Sequence, residues 1–368
     1  PPYSFRSVSN FSIEIIQHMQ DEKFPMKLVR IKNVHGLQRI FDMQSADMNS
    51  PMAFENAVTA HGNFRWKGDR GDHELLKTFL FDGMGTGRKI DVLGWQPEGF
   101  WVWNNKISVP TGEEITLDEN GVFEKDSVSY YIPSANRIYR SNLYKYEAQK
   151  KVVYKETTVT FQNYTSQVLK VHRQHGMMGI LFSVASMFQD IVVSELNFFP
   201  MLFLFGPASS GKDQLADVCQ SFFGFPQTAI NLEGGVSTIK AQVREFAQFS
   251  NTISQLSEYK NGDPKLDGVL KGLWDRRGYK RGNIDSHVGT ESIPILSAVL
   301  MTGNYAPDQE ALITRFIWEF MDKTIFNDAE IKEYEKLSDM TKKGISCYTD
   351  EFMNWLLYAS AAADDMQM

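Results

Sequence analysis

The sequence lacks the cysteine pattern of a metal site or of a disulfide framework. Its 368 residues include two cysteines, Cys219 and Cys347, which lie far apart, and no CxxC or Cys/His spacing occurs. Structural zinc sites and small secreted scaffolds depend on such spacing. Both classes are therefore disfavoured, and a reducing intracellular environment is expected.

A long uninterrupted apolar run is also missing. The most apolar stretch, residues 176–206, is interrupted by polar residues. The apolar segments between these residues are too short to span a bilayer. No signal peptide is visible at the start of the chain. The sequence thus predicts no membrane partner. The interrupting residues are Gln189, Asp190, Glu195 and Asn197.

The chain has no excess of positive charge, because its formal net charge is −7. A negative balance argues against a surface that binds nucleic-acid phosphates over a wide area. Any contact with nucleic acid must then be local, in a channel or on a loop.

The composition is that of a folded protein with sizeable cores, with 42% hydrophobic and 13% aromatic residues. The length predicts two or three units. We expect a mixed, β-rich domain over 1–150, a helical lead-in over 151–196, an α/β domain over 197–325 and helices over 326–368. Because the chain begins with Pro1 rather than Met, we expect it to be part of a longer protein.

Two features outside the α/β domain have alternative interpretations. The aromatic segment Leu93–Trp101 is either a packed strand and turn or a surface that stacks nucleic-acid bases. His172 and His175 are three residues apart on a predicted helix, and without a third ligand they are interpreted as structural rather than metal-binding.

One motif indicates phosphate chemistry. The apolar run Pro200–Phe205 predicts a strand buried on both faces, and a helix is predicted over 213–223. Between them, a GxxxxGK loop provides backbone N–H groups for phosphates and a lysine for the β- and γ-phosphates of a nucleotide. The predicted nucleotide-binding residues are Gly206, Pro207, Ala208, Ser209, Ser210, Gly211, Lys212 and Asp213.

Polar residues follow two further predicted strands. Glu258 ends the run that begins at Asn251, where a P-loop ATPase has the carboxylate that polarises the attacking water. Asn304 ends the run that begins at Ile293, where an amide can sense the γ-phosphate. Arg315 follows, and it is either part of a surface ion pair or able to reach the nucleotide of a neighbouring subunit in a ring.

This order of motifs resembles the superfamily 3 helicases of viruses, phages and mobile elements over Pro200–Met321, about a third of the chain. The resemblance implies a P-loop NTPase, AAA+-like fold: an α/β fold with a parallel sheet core and helices. It implies ATP and Mg²⁺ as cofactors, Asn304 as sensor, Arg315 as arginine finger and Glu258 as catalytic carboxylate. It also implies a homo-oligomeric ring, with six subunits expected, single-stranded DNA in its channel, an associated primase, and a cytoplasmic location in a bacterial or phage-infected cell.

Family members have a β-hairpin before the sensor strand that projects into the ring channel. The equivalent stretch here is 278–291, whose tip keeps a histidine but lacks the lysine common in the family. The basic residues before the tip suit phosphate contacts, although a solvated face after a helix starting at Asp263 is the alternative. The predicted DNA-binding residues are Lys280, Arg281, Ser286 and His287.

The motif departs from the family at two positions. Asp213 follows the lysine where family members have the Ser or Thr that binds Mg²⁺, and Ser257 precedes Glu258 where they have Asp. Our hypothesis is an exchange, in which Asp213 and Ser257 jointly hold the Mg²⁺ shell. The alternative is drift in a weakened ATPase.

The function predicted from these features is an ATP-dependent DNA helicase or translocase motor of a phage or mobile-element replication protein. The alternative is a nucleotide-stabilised scaffold for DNA or a primase, with little turnover. A small-molecule P-loop kinase is disfavoured, because such kinases lack the sensor asparagine and the hairpin and need a lid and an acceptor pocket.

Overall fold

The computed structural model describes residues 6–20, 25–82, 86–232, 239–276, 279–282, 290–323 and 326–355. The chain divides into two compact units. The first comprises Pro1–Asp91 and Ile115–Tyr146, and the second comprises Val92–Glu114 and Glu147–Met368.

Strands and helices alternate irregularly in the first third of the described chain and more regularly after it. The strands are β1 Phe11–Gln20, β2 Met26–Asn33, β3 Gln38–Gln44, β4 Thr86–Lys89, β5 Leu93–Gln96, β6 Phe100–Val102, β7 Ile107–Ser108, β8 Glu114–Ile115, β9 Val122–Lys125, β10 Val128–Tyr131, β11 Met201–Phe205, β12 Ile230–Asn231, β13 Phe249–Tyr259, β14 Tyr279–Gly282, β15 Thr290–Ile293, β16 Leu296–Gly303 and β17 Phe316–Phe320. The α-helices are α1 Pro51–Thr59, α2 Arg70–Phe81, α3 Glu147–Lys151, α4 Phe161–Met187, α5 Gln189–Leu196, α6 Lys212–Gln220, α7 Ile239–Phe246, α8 Pro264–Trp274, α9 Glu310–Ile313 and α10 Asp328–Lys343.

The first unit is built on a six-stranded mixed sheet in the order β3-β2-β1-β4-β10-β9. Alternating apolar residues of β1 to β3 face helices α1 and α2 and form one core. Phe54 and Trp66 meet edge to face in this core, with their ring centroids 5.3 Å apart.

The second unit has a sheet in which β17, β11, β16 and β13 are consecutive neighbours. The pairings of β11 with β16, of β11 with β17 and of β13 with β16 are all parallel. Because parallel strands share a direction, the carboxyl ends of β11, β16 and β13 lie side by side at one edge. Helices of the second unit cover the sheet, and Leu266, Leu270 and Leu273 of α8 pack into its core.

Residues 92–114 belong to the second unit and not to the first, so the division differs from the expected boundary near residue 150. Strand β5 extends the sheet by pairing in parallel with β13. At this contact, Gly94 has a φ of +99°, and a Cβ atom there would lie 2.0 Å from the carbonyl oxygen of Ser250. A glycine is therefore required for the two backbones to approach so closely.

The aromatic segment at 93–101 packs inside this unit. The side chains of Phe100 and Trp101 are fully buried, and Trp101 stacks on Phe223 at 6.1 Å between ring centroids. The packed-strand interpretation is therefore the one that the structure supports, since buried rings offer no face to a base.

Helices α4 and α5 occupy most of the stretch 151–196. Helix α4 packs against α6 and α10 and is broken at Arg173, whose φ of 53° and ψ of −135° are not helical. Among the described residues, no single helix has both the length and the apolarity to cross a bilayer; α4 and α5 meet these criteria only as a pair, bent by 79° at the break between them.

Candidate functional site

The loop between β11 and α6 has the tight backbone that its glycines allow. Gly206 has a φ of +146°, and a Cβ atom there would lie 2.1 Å from the carbonyl oxygen of Met321. Gly211 has a φ of +90° and precedes the first turn of α6. The first N–H groups of α6 have no acceptor within the helix, so they can bind an anion such as a phosphate.

Lys212 is folded back into this loop. Its side chain is buried, and its Nζ atom donates to the carbonyl oxygens of Gly206 at 2.9 Å and Pro207 at 2.8 Å. Burial lowers the pKa of Lys212, while the nearby carboxylates of Asp213 and Glu258 act in the opposite direction. The ammonium thus lies within the loop that would surround the phosphates.

Asp213 lies at the carboxyl edge of the sheet and is held there by two strands. Its Oδ1 atom accepts hydrogen bonds from Nε2 of Gln255 and from Oγ1 of Thr302, each at 3.3 Å. Sequence reasoning did not single out Gln255 or Thr302. No local signal identifies them, because each is one of several polar residues in β13 and β16.

Glu258 lies at an irregularity of β13. The register with β16 shifts between Leu256 and Tyr259, and Glu258 has a φ of +60°, a conformation that is uncommon for a residue with a side chain. Its side chain is exposed at the edge that carries the loop. Ser257 precedes it within the same irregular segment and is half-buried.

Asn304 follows the last residue of β16 and contacts the same loop. Its Oδ1 atom lies 3.4 Å from Nζ of Lys212. Lys212, Asp213, Glu258 and Asn304 therefore lie around one point at the carboxyl ends of three neighbouring strands. An arrangement with one cation, two carboxylates and an amide suits a phosphate chain and the water that attacks it.

Arg315 lies elsewhere in the same chain. It precedes β17, whose first residue pairs with Met201 at the start of β11, so it lies at the edge of the sheet opposite the loop. Its guanidinium lies over the ring of Trp274, 5.1 Å from the ring centroid, and donates to the carbonyl oxygen of Ala311. Within one chain the structure does not bring Arg315 to the other predicted residues.

The two arms of the expected hairpin pair as antiparallel strands. In this pairing Lys280 of β14 lies opposite Ser292 of β15, and Arg281 lies opposite Glu291. Ser286 and His287 lie outside the described residues, as does the rest of the expected tip.

The side chains around Asp213 can be compared with the protein ligands that Mg²⁺ requires. In the part of the chain that the structure describes, no group of three or more His, Cys, Asp or Glu side chains is arranged to hold a metal ion. Mg²⁺ bound to a nucleotide needs only one or two protein ligands, since phosphate oxygens and water complete its octahedron. The carboxylate of Asp213, which lies beside Lys212 at the carboxyl ends of the strands, fits that requirement as one such ligand.

A cavity of about 530 Å³ adjoins the loop. One wall is formed by residues 170–175 of α4, another by the start of α10, and the third by the loop and the end of β17. The lining includes Ser209, Ser210 and Gly211 of the loop. Cavities of roughly 300–1,000 Å³ are the usual size for small-molecule ligands.

Comparisons with known proteins give structural similarity only. No protein-family profile and no curated protein matches this chain. The apo C-terminal region of NrS-1 is similar over 93% of this chain and 68% of that chain, with 11% identity and a TM-score of 0.40. A JCV helicase structure is similar over 55% of this chain, with 13% identity and a TM-score of 0.32. An inhibitor-bound JCV helicase has 16% identity and a TM-score of 0.30.

This chain spans about three-fifths of the JCV helicase chains, 61% and 62% of their lengths.

Proposed function

We propose that the second unit binds and hydrolyses ATP at the loop Gly206–Lys212. The observation that supports this most directly is the meeting of three strand ends. The glycine loop and Lys212 follow β11, Glu258 ends β13, and Asn304 follows β16. The contact between Lys212 and Asn304 joins the first strand end to the third.

Each residue has a role in this proposal. The loop N–H groups and Lys212 bind the phosphates, which requires Nζ to exchange its two loop carbonyls for phosphate oxygens. Glu258 orients and polarises the attacking water, and Asn304 binds the γ-phosphate. Mg²⁺, when bound, neutralises charge on the β- and γ-phosphates, and Asp213 and Ser257 are the residues that would hold it.

The strained backbone of Glu258 supports its role. A positive φ at a residue with a side chain costs roughly 1–3 kcal/mol and persists where the surrounding structure enforces it, often at functional sites. Here Glu258 lies within the irregular segment of β13, and its side chain is exposed. In a regular strand, the side chains of Ser257 and Glu258 would point to opposite faces of the sheet.

We further propose that hydrolysis drives movement along single-stranded DNA. The motor would be a homo-oligomeric ring, with six subunits expected, of a phage or mobile-element replication protein, with a primase as partner. Lys280 and Arg281, both of which belong to β14, would contact the DNA. The position of Arg315, at the edge opposite its own loop, is compatible with action on the nucleotide of a neighbouring subunit.

A second function is supported by the contacts of Asp213. Its carboxylate is bound to Gln255 and Thr302, so it also acts as a fixed link between α6 and the sheet. If that link is its only role, the nucleotide would stabilise a scaffold for DNA or a primase and would turn over slowly.

The test is steady-state ATP hydrolysis with and without single-stranded DNA, together with equilibrium binding of ATP, on the wild type and on Lys212→Ala. Hydrolysis that DNA stimulates and that the substitution abolishes supports the motor. Binding of ATP and DNA without turnover supports the scaffold. Absence of ATP binding by the wild type refutes both.

A further inference from the structure

The side chain of Arg315 has few polar partners in the described part of the chain. It is half-buried, and its Nη1 atom donates to the carbonyl oxygen of Ala311. Its Nε atom is buried and has no hydrogen-bond partner. Among the described residues, no carboxylate pairs with this guanidinium. The described contacts therefore do not include the ion pair that was one of the two alternatives for Arg315.

The other described contact of this guanidinium is with the ring of Trp274. The guanidinium carbon lies 5.1 Å from the ring centroid, within the roughly 6 Å at which the negative face of an indole attracts a cation. A cation–π contact uses none of the N–H groups with which an arginine binds phosphate oxygens. Trp274 can therefore hold the guanidinium without occupying its donors.

The ring of Trp274, the last residue of α8, is itself held in place. Phe198 stacks on it, with the ring centroids 4.3 Å apart and an angle of 11° between the planes. The N–H group of Phe199 donates to the carbonyl oxygen of Trp274 at 3.1 Å. Two residues further on, Nη2 of Arg276 donates to Oδ1 of Asn251 at 3.4 Å, which joins the end of α8 to the start of β13.

The backbone of Arg315 is fixed to the same part of the sheet. Its carbonyl oxygen accepts from the N–H group of Met201, the first residue of β11, at 3.1 Å, and its own N–H group donates to the carbonyl oxygen of Leu312 at 2.9 Å. What remains to be fixed is the side chain, and arginine has many rotamers. A charged group that is oriented before the reaction stabilises the transition state without a further ordering cost.

We propose that Trp274 is a positioning residue for Arg315, whose guanidinium it holds ready for the nucleotide of a neighbouring subunit. This inference rests on the proposed action of Arg315 on that nucleotide, and it adds the residue that prepares Arg315 for it. Trp274 contacts no nucleotide in this arrangement and acts only through Arg315. Loss of its ring should therefore slow hydrolysis only in a chain that keeps Arg315.

The experiment is single-turnover ATP hydrolysis by the whole chain with single-stranded DNA and with protein in excess, so that slow variants can be measured. The variants are Trp274→Leu, Trp274→Phe, Arg315→Ala and the combination of Trp274→Leu with Arg315→Ala. Trp318→Leu is the matched control, because both tryptophans are half-buried and pack against the same core. Among the rings that the structure describes, the guanidinium of Arg315 lies over Trp274 and not over Trp318.

Trp274→Leu should lower the rate constant by about threefold to thirtyfold, the range that corresponds to one cation–π contact. Equilibrium binding of ATP should be unchanged, because the arginine acts on charge that develops in the transition state. Trp274→Phe should retain most of the rate, since it keeps an aromatic face. In the Arg315→Ala background, Trp274→Leu should cause no further loss, and Trp318→Leu should hydrolyse ATP as the wild type does.

An equal loss from Trp274→Leu with and without Arg315 would overturn the positioning role, because a ring with only a structural role acts independently of Arg315. A wild-type rate in Trp274→Leu would overturn it as well. An Arg315→Ala variant with an unchanged rate, or a wild type that does not hydrolyse ATP, would instead refute the proposed motor and this inference with it.

If Trp274→Leu does not fold, NMR of the chain labelled with 5-fluorotryptophan provides a second test. The signal of Trp274 is assigned by its absence from the spectrum of Trp274→Phe. It should shift when ATP is added to the wild type with single-stranded DNA, and it should not shift in Arg315→Ala. A wild-type signal that does not respond to bound ATP would overturn the proposal.

Discussion

Replacement of Gly206 by alanine should distort the phosphate loop, and its cost can be estimated from the backbone. The added Cβ atom would lie 2.1 Å from the carbonyl oxygen of Met321, and the φ of +146° is one that side chains rarely adopt. Backbone strain of this kind costs roughly 1–3 kcal/mol, and overpacking against a fixed neighbour costs about 1–3 kcal/mol more. We expect Gly206→Ala to lower the free energy of unfolding by about 2–6 kcal/mol.

Gly262 provides the matched control. Its φ is +95°, but a Cβ atom there meets nothing within 4 Å. Gly262→Ala should therefore cost only the strain of a left-handed backbone, roughly 1–2 kcal/mol. The difference between the two variants isolates the contact with Met321.

The assay is denaturant unfolding followed by fluorescence, combined with tripolyphosphate binding. Gly206→Ala should weaken tripolyphosphate binding, because displacement of the loop backbone away from Met321 moves the N–H groups that would bind the phosphates. Gly262→Ala should bind as the wild type does. If the two variants lose the same stability and bind equally, the close approach of the loop to Met321 does not determine its conformation.

Three further predictions concern protonation, catalysis and the metal. His172 has a pKa of about 4 in the folded protein and near 6.5 when unfolded, so the unfolded chain takes up a proton first as pH falls. The free energy of unfolding should therefore drop by about 3 kcal/mol between pH 6.5 and 4 in the wild type, and by less in His172→Leu. Unfolding titrations that show the same pH dependence for the two proteins would refute this. Glu258→Gln should lower the rate of ATP hydrolysis by about 100-fold or more while ATP binding is retained; a turnover assay that shows normal hydrolysis would remove Glu258 from catalysis. Asp213→Thr combined with Ser257→Asp should hydrolyse ATP faster than either single variant; a double variant no faster than the singles would eliminate the exchange of Mg²⁺ ligands.

The strand–loop–helix segment from Met201 to Gln220 could be predicted because its signals are local. An apolar run predicts a buried strand, two glycines permit the turn, and the following residues favour a helix. The arms of the hairpin and the start of α8 after Asp263 could be predicted from the sequence for the same reason. Each of these predictions depends on residues that are close together in the sequence.

The contacts that form the site could not be predicted from local sequence patterns. Thr302 is 89 residues from Asp213, and Gln255 is 42 residues away; nothing in the local pattern distinguishes them from other polar residues in strands. The parallel pairing that brings their strands together is set by burial of the whole sheet, not by any single segment.

The sequence by itself thus determined the candidate phosphate loop, the catalytic candidates Glu258 and Asn304 and the helical character of α4, since glycine positions and apolar periodicity report on backbone geometry within a few residues. Only the tertiary structure decided that residues 92–114 extend the second sheet, that Arg315 lies opposite its own loop, and that His172 borders a cavity. These arrangements depend on which distant segments bury one another, and that choice is made by the packing of the whole unit.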